Sequence, residues 1–192
     1  IIDIFGEKDY QRSLQFYARA MGGQVQDKTW GLFVGARNCG KSVIEHAFMS
    51  AFKEYVGSVA SDLFLCERST QNQDVKAWAW LMDMEFKRLT FTQECKFDTT
   101  NKNIKIDGNK IKKMASGGDT HYAKKLYENP RNFKIQSTLS MSCNDMAKLS
   151  PADAWETCTT FGATRQFKSA EFIQGRKNDN ASDLELGMYR FG

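Results

Sequence analysis

Eight consecutive residues constrain this chain more than any other feature. Gly35-Ala36-Arg37-Asn38-Cys39-Gly40-Lys41-Ser42 follows the pattern G-x-x-x-x-G-K-[ST]. The flanks supply the context that gives the pattern meaning. Before it, TWGLFVG is an apolar run rich in β-formers and predicts a short buried strand at 29–34. After it, SVIEHAFMSAFKEYVG predicts a helix with an apolar stripe of Val43, Ile44, Ala47, Phe48, Ala51, Phe52 and Tyr55, stopped at Gly57. Strand, glycine loop and helix in that order gather backbone N–H groups and a helix N-terminus around one point, which suits an anion. A lysine there can reach the β- and γ-phosphates of a nucleotide, and a serine hydroxyl can hold Mg²⁺ that keeps most of its waters. Residues Gly35, Ala36, Arg37, Asn38, Cys39, Gly40, Lys41 and Ser42 are therefore the expected nucleotide-binding set.

The rest of the chain alternates strand and helix signals. Residues 1–21 mix apolar and charged positions at helical spacing, with Leu14, Phe16, Tyr17 and Met21 on roughly one face, and Gly22-Gly23 ends them. A weak strand is expected at 61–66, a helix at 71–86, and strands at 88–93 and 137–143. Asp107-Gly108-Asn109 suggests a turn or a helix start, and 176–183 a solvated loop. This alternation predicts an α/β layered fold. At 192 residues, with 41% hydrophobic and 26% charged, the chain fits one globular domain and excludes a collagen, coiled-coil or disordered class. No window approaches the roughly 18 apolar residues of a membrane span. Five cysteines, an odd number with no C-x-x-C pair, and only two histidines argue against a disulfide framework and a zinc cage. They point to a reducing, intracellular setting. The chain begins at Ile1 and is expected to be a segment of something longer.

A net charge of +4 permits a nucleic-acid partner without demanding one. Position says more. Between 110 and 134 stand Lys110, Lys112, Lys113, Lys124, Lys125, Arg131 and Lys134, against Asp119 and Glu128 alone, with Tyr122, Tyr127 and Phe133 interleaved. That mixture suits phosphate tracking with base stacking, as well as a solvated basic loop packed by its own aromatics. A second strand signal, Arg88-Leu89-Thr90-Phe91-Thr92-Gln93-Glu94, ends in an acid, and Glu94 is placed to orient or deprotonate an attacking water. Gln93 stands where many such enzymes carry a magnesium-binding aspartate, which leaves the metal to Ser42, with Glu94 through water. The guanine motif N-K-x-D is absent: Asn101-Lys102-Asn103-Ile104 lacks the aspartate.

Four stretches in order, GARNCGKS, KRLTFTQE, KKMASGGDTHYAKKLY and STLSMSCN, resemble the superfamily 3 helicases of DNA viruses. The resemblance is strongest to the helicase part of poxvirus-type primase-helicases, and covers about 25–172. It implies a P-loop NTPase with an AAA+-like three-layer core and a central, mainly parallel sheet. It implies ATP and Mg²⁺ as cofactors, and ATP-driven movement along single-stranded or forked DNA by a ring, usually a hexamer, at a site of viral replication inside the host cell. It assigns catalytic positions to Lys41, Glu94 and Asn144, the last as the sensor that polarises the water. It also matches Lys113, Asp119 and Lys124 to the stretch that leads into a DNA-lining hairpin, and with the basic run around them Lys112, Lys113, Lys124 and Lys125 are the expected DNA-binding residues. The paired arginines of many members are missing after Asp153-Ala154-Trp155. Arg165, the sole arginine between Asn144 and Phe172, is then the default arginine finger.

On this reading 1–25 ends an upstream helical segment, 26–175 is the ATPase core, and 176–192 begins a C-terminal extension. Two other classes share these features. One is a motor that moves DNA without unwinding it, as in packaging. The other is a DNA-binding module that keeps nucleotide as a structural ligand.

Overall fold

The structure is a computed structural model that describes residues 2–66, 78–92, 105–163 and 165–178, and the backbone of 189–191. The strands are β1 (Trp30–Val34), β2 (Val56–Val59), β3 (Leu89–Thr92), β4 (Ile106–Asp107), β5 (Thr120–Ala123), β6 (Arg131–Lys134), β7 (Thr138–Cys143), β8 (Leu149–Ser150), β9 (Cys158–Gly162), β10 (Gln166–Lys168) and β11 (Tyr189–Phe191). The helices are α1 (Ile2–Met21), α2 (Lys41–Phe52), α3 (Ala79–Met82), α4 (Gly108–Met114) and α5 (Ala170–Asn178). Five strands form the central sheet in the order β2-β3-β7-β1-β9, and every neighbouring pair is parallel. Three two-stranded pieces surround it: β4 with β8, β5 with β6, and β10 with β11.

Period-two alternation divides the sheet's faces, and each face buries its own cluster. Trp30 and Leu32 of β1, with Leu139, Met141 and Cys143 of β7, join Phe64, Leu81, Ile111 and Met114 on one side. Phe33, Leu89, Phe91 and Phe161 join Phe5, Phe16, Tyr17 and Ile44 on the other, under α1 and α2. Buried on both faces, β1 reads as a near-continuous apolar run, which is the signature of a central parallel strand. Gly31 interrupts the run because α1 lies against it: a Cβ there would stand 2.6 Å from Cζ of Phe16.

The chain leaves β1 through α2 for β2, three strands away, and returns to β9 on the other side of β1. The C-terminal end of β1 is thus a point where connections diverge, which is where open parallel sheets hold ligands. The hairpin β5–β6 leads into the opposite, N-terminal end of β7. That strand's six residues set the two ends roughly 20 Å apart.

Several expected elements differ. The helix read through to Gly57 stops at Phe52, because Lys53 turns to φ 41° and residues 56–59 pair with β3 as a strand. β-Branched Val56 and Val59 gain more from that sheet edge than from another helical turn. Only Ile44 of the α2 stripe is fully buried; Val43, Phe52 and Tyr55 face outward, as does Leu14 on α1, since each helix has the sheet on one side only. The strand expected at 61–66 is a 3-10 turn over Ser61–Phe64, anchored by fully buried Phe64. Of the helix expected at 71–86, residues 71–77 lie outside the described residues and the rest is helical only over Ala79–Met82. Asp107 does start a helix: its carboxylate accepts from the N–H groups of Asn109 and Lys110. The loop expected at 176–183 is helical through Asn178, and its remainder lies outside the described residues.

Candidate functional site

The loop after β1 is tied down on both sides. The Gly35 N–H donates to the Cys143 carbonyl of β7 at 3.1 Å, and the Ala163 N–H after β9 donates to the Val34 carbonyl at 2.9 Å. Asn38 takes φ 61° and Gly40 takes φ 97°. A side chain at Gly40 would be strained by that φ and would also meet Ile4 of α1 at 2.7 Å. The turn delivers Lys41 and Ser42 to the first turn of α2, which carries no acid to offset the helix N-terminus. Residues Arg37–Val43 line a cleft of about 250 Å³.

Within this cleft the Lys41 ammonium donates to the carbonyls of Gly35 at 2.5 Å and Ala36 at 3.0 Å, and to Oδ1 of Asn144 at 2.9 Å. Asn144 comes from the end of β7, 103 residues away. Every one of these acceptors is neutral. A phosphate can replace them and meet the full charge of the amine, with N–H groups and a helix terminus beside it. Lys41, beside Ser42 at the start of α2, and Asn144, distant in the sequence, are thereby brought together. β3 ends next to them: Thr92 Oγ1 accepts from the Ser142 N–H at 3.3 Å. Gln93 and Glu94 lie outside the described residues. Arg165 is turned to α1 of its own chain, its guanidinium 3.6 Å from the Asp3 carboxylate.

The basic stretch folds as α4 and the β5–β6 hairpin, with 124–130 as its tip. Ala123 and Phe133 are buried; Tyr122, Leu126 and Tyr127 are exposed, and Tyr127, at φ 64°, is 98% exposed. Most of the lysines expected to meet DNA already have partners. Lys112 pairs with Asp153, and Lys125 with Asp83 at 2.5 Å. Lys113 lies 3.7 Å above the Trp78 ring, where burial lowers its pKa. Arg131 grips Glu85 with two hydrogen bonds, at 2.6 and 3.0 Å. Among the described residues Lys124 has no ion-pair partner.

No protein family's sequence profile matches the chain. It is 25% identical over 136 residues to the Sputnik virophage protein named "Putative helicase V13", covering 71% of this chain and 17% of that protein. Among solved structures it resembles the C-terminal region of NrS-1, with a TM-score of 0.60 at 12% identity, over 100% of this chain and 44% of the other. It also resembles JCV helicase bound to a thiazolopyridine compound, with a TM-score of 0.56 at 11% identity, over 97% of this chain and 50% of the other. The fold is thus shared with these solved structures, one of them a helicase. The chain is similar in sequence to a protein named as a putative helicase and in fold to a solved helicase. It spans half or less of each of these proteins.

Sequence reasoning missed what the fold sets against the basic stretch. Asp83, Glu85 and Asp153 lie about 40 residues from the cations they hold. No local pattern links them. The domain also buries a Ser116–His121 hydrogen bond of 2.9 Å beside the hairpin. Burial and the nearby Lys113 lower the His121 pKa, which favours the neutral imidazole. Among the described residues no helix is long and apolar enough to cross a membrane.

Proposed function

We propose that this chain is the ATP-hydrolysing core of a viral replicative DNA helicase, a ring motor that moves along DNA and separates its strands inside the infected cell. The observation that carries the proposal is the hydrogen bond from Lys41 to Asn144 at the mouth of the glycine loop. It joins the phosphate-binding cation to the end of the strand beside it, the position from which a water can be aligned with a γ-phosphate.

In this reading Gly35–Ser42 hold the triphosphate, and Lys41 exchanges its carbonyl and amide acceptors for phosphate oxygens. The donor set suits Mg²⁺. Ser42 offers one hydroxyl, and among the described residues no group of three or more His, Cys, Asp or Glu forms a protein cage. Mg²⁺ needs none, since phosphates and water supply most of its shell, and when bound it neutralises charge on the phosphates. Glu94 accepts a proton from the attacking water, directly or through a second water, and Asn144 orients that water. Arg165 completes the site of the neighbouring protomer after leaving Asp3; such a finger is worth roughly 10³–10⁵ in rate in related phosphoryl transfers. The hairpin carrying Lys124, Lys125 and the exposed Tyr127 faces DNA in the ring's channel, with Lys112 and Lys113 at its base.

The test is ATP turnover by this chain with and without single-stranded DNA, at several protein concentrations, beside Lys41→Ala. The expected result is turnover that needs Lys41, rises with DNA, and rises per protomer with concentration as shared sites form. Nucleotide binding that survives Lys41→Ala unchanged would overturn the proposal.

A further inference from the structure

The phosphate cleft runs into a second, more apolar one. Asn38, Gly40 and Val43 line both. The second measures about 670 Å³, a size that suits a small molecule, and adds Phe167, Lys168, Ser169 and Phe172. Its outer wall is fastened to the glycine loop, since the Phe167 N–H donates to the Asn38 carbonyl at 2.7 Å. The wall then turns into α5, where Ser169 Oγ accepts from the Phe172 N–H at 3.3 Å. Lys168 stands 4.9 Å from the centre of the Phe172 ring, and that ring remains 40% exposed. A partly exposed aromatic side chain thus stands next to a phosphate loop, on a wall hydrogen-bonded to that loop.

We propose that this cleft receives the base of the nucleoside triphosphate whose phosphates lie on Gly35–Ser42. Phe172 stacks on the base, with Val43 and Phe167 as the apolar flanks. The inference rests on the phosphate-loop reading and adds a substrate class to it: purine nucleoside triphosphates, with adenine and guanine treated nearly alike. The polar side chains that line the cleft are Asn38 and Ser169, both exposed, and Lys168, partly exposed with its ammonium over the Phe172 ring. A base with the wrong edge leaves them in water instead of burying them unpaired, and strong discrimination comes from buried, unpaired groups. Stacking ranks bases by ring area, so purines exceed pyrimidines.

Equilibrium binding of Mg²⁺–ATP, Mg²⁺–GTP, Mg²⁺–CTP and inorganic tripolyphosphate to this chain tests it. Phe172→Ala is expected to weaken ATP and GTP about tenfold, CTP less, and tripolyphosphate not at all, while Phe172→Trp restores the purines. ATP and GTP should bind the unaltered chain within about threefold of each other, the range expected when no buried group reads the edge. Lys41→Ala should weaken all four ligands. If tripolyphosphate binds Lys41→Ala as before, the phosphate-loop reading is what has failed. The base site is overturned if Phe172→Ala leaves ATP affinity intact or lowers tripolyphosphate equally. An ATP preference over GTP beyond about tenfold would also overturn it. So would a Phe172→Ala change in self-association with nucleotide binding unmoved, since the cleft would then be seating a protein chain.

Discussion

The two ends of β7 carry cations in opposite states. At the end that reaches Asn144, Lys41 is held by two carbonyls and an amide, with no carboxylate among its partners in the described residues. At the end that receives the hairpin, Lys112, Lys125 and Arg131 are each matched with an acid of the same chain. An anion arriving at Lys41 displaces neutral dipoles. An anion arriving at the hairpin must displace a carboxylate that already satisfies the cation. The first arrangement suits a ligand held tightly and in one pose. The second suits a polyanion gripped and released repeatedly, because each internal acid recaptures its cation as the phosphate leaves. The Lys112 and Lys125 pairs are exposed on both sides and the Arg131 pair on the cation's side, so salt screens them and the competition is close to balanced.

The largest effect that would break this comparison is at Lys41. Lys41→Ala should reduce nucleotide affinity and turnover by at least about a hundredfold, since Lys41 is the cation held between the loop carbonyls and Asn144, where the phosphates are proposed to lie. Thermal unfolding should be nearly unchanged, because Lys41 serves the cleft and not the core. Titration calorimetry and a melting curve check both parts. Next comes Asn144→Ala, which removes the side chain that both holds Lys41 and is proposed to orient the water. Turnover should fall about a hundredfold, the cost typical of one preorganised polar group, with ATP binding within a few-fold of the unaltered chain. Glu94→Gln should show the same split more cleanly, because an amide cannot take the water's proton. Binding lost together with turnover in Asn144→Ala would mean that the residue only shapes the loop.

The contrast between the ends also separates what the sequence discloses from what it hides. The glycine loop and its strand are legible because their chemistry is local: eight adjacent residues adopt one turn, and β1 is apolar on both faces. Asn144 is legible only through the order of motifs, since nothing near it marks a residue destined to meet Lys41. The hairpin cations are legible as a charge run, yet the acids that neutralise them sit on the turn after α3 and after β8. Only the fold brings these together. Val56–Val59 is a strand because β3 offers an edge, and no periodicity over four residues reports an edge. Tyr127 reads as one aromatic among several; its left-handed backbone, which exposes it at the hairpin tip, is a tertiary outcome.

A middle-sized effect sharpens the hairpin side. Asp83→Asn together with Glu85→Gln removes the competing carboxylates from Lys125 and Arg131. Single-stranded DNA affinity should rise about three- to tenfold at low salt, through two unmasked phosphate contacts and two fewer repulsive charges. The plot of log affinity against log salt should steepen by up to about 0.7 per added contact. ATP binding without DNA should not move, because the pairs lie at the other end of β7. Weaker DNA binding in the double variant would show that the acids hold the hairpin in its binding shape and do not compete with DNA.

The smallest effect distinguishes two lysines that look equivalent in the sequence. Lys113 lies over Trp78, while Lys124 has no ion-pair partner among the described residues. Lys113→Ala gives up a cation–π contact worth roughly 0.5–1 kcal/mol at a half-open site, and the aliphatic stem that packs with it. For a chain of this size about 1 kcal/mol lowers the melting temperature by roughly 2–4 °C. Lys124→Ala should leave the melting temperature within about a degree and flatten the salt slope of DNA binding by about 0.7. If Lys113 also meets phosphate, its loss adds a second increment of slope on top of the stability change, since the amine must leave the ring to reach DNA. Equal slopes with and without Lys113 would confine it to holding Trp78, and the DNA contact would then rest on Lys124 and the cations released from Asp83 and Glu85.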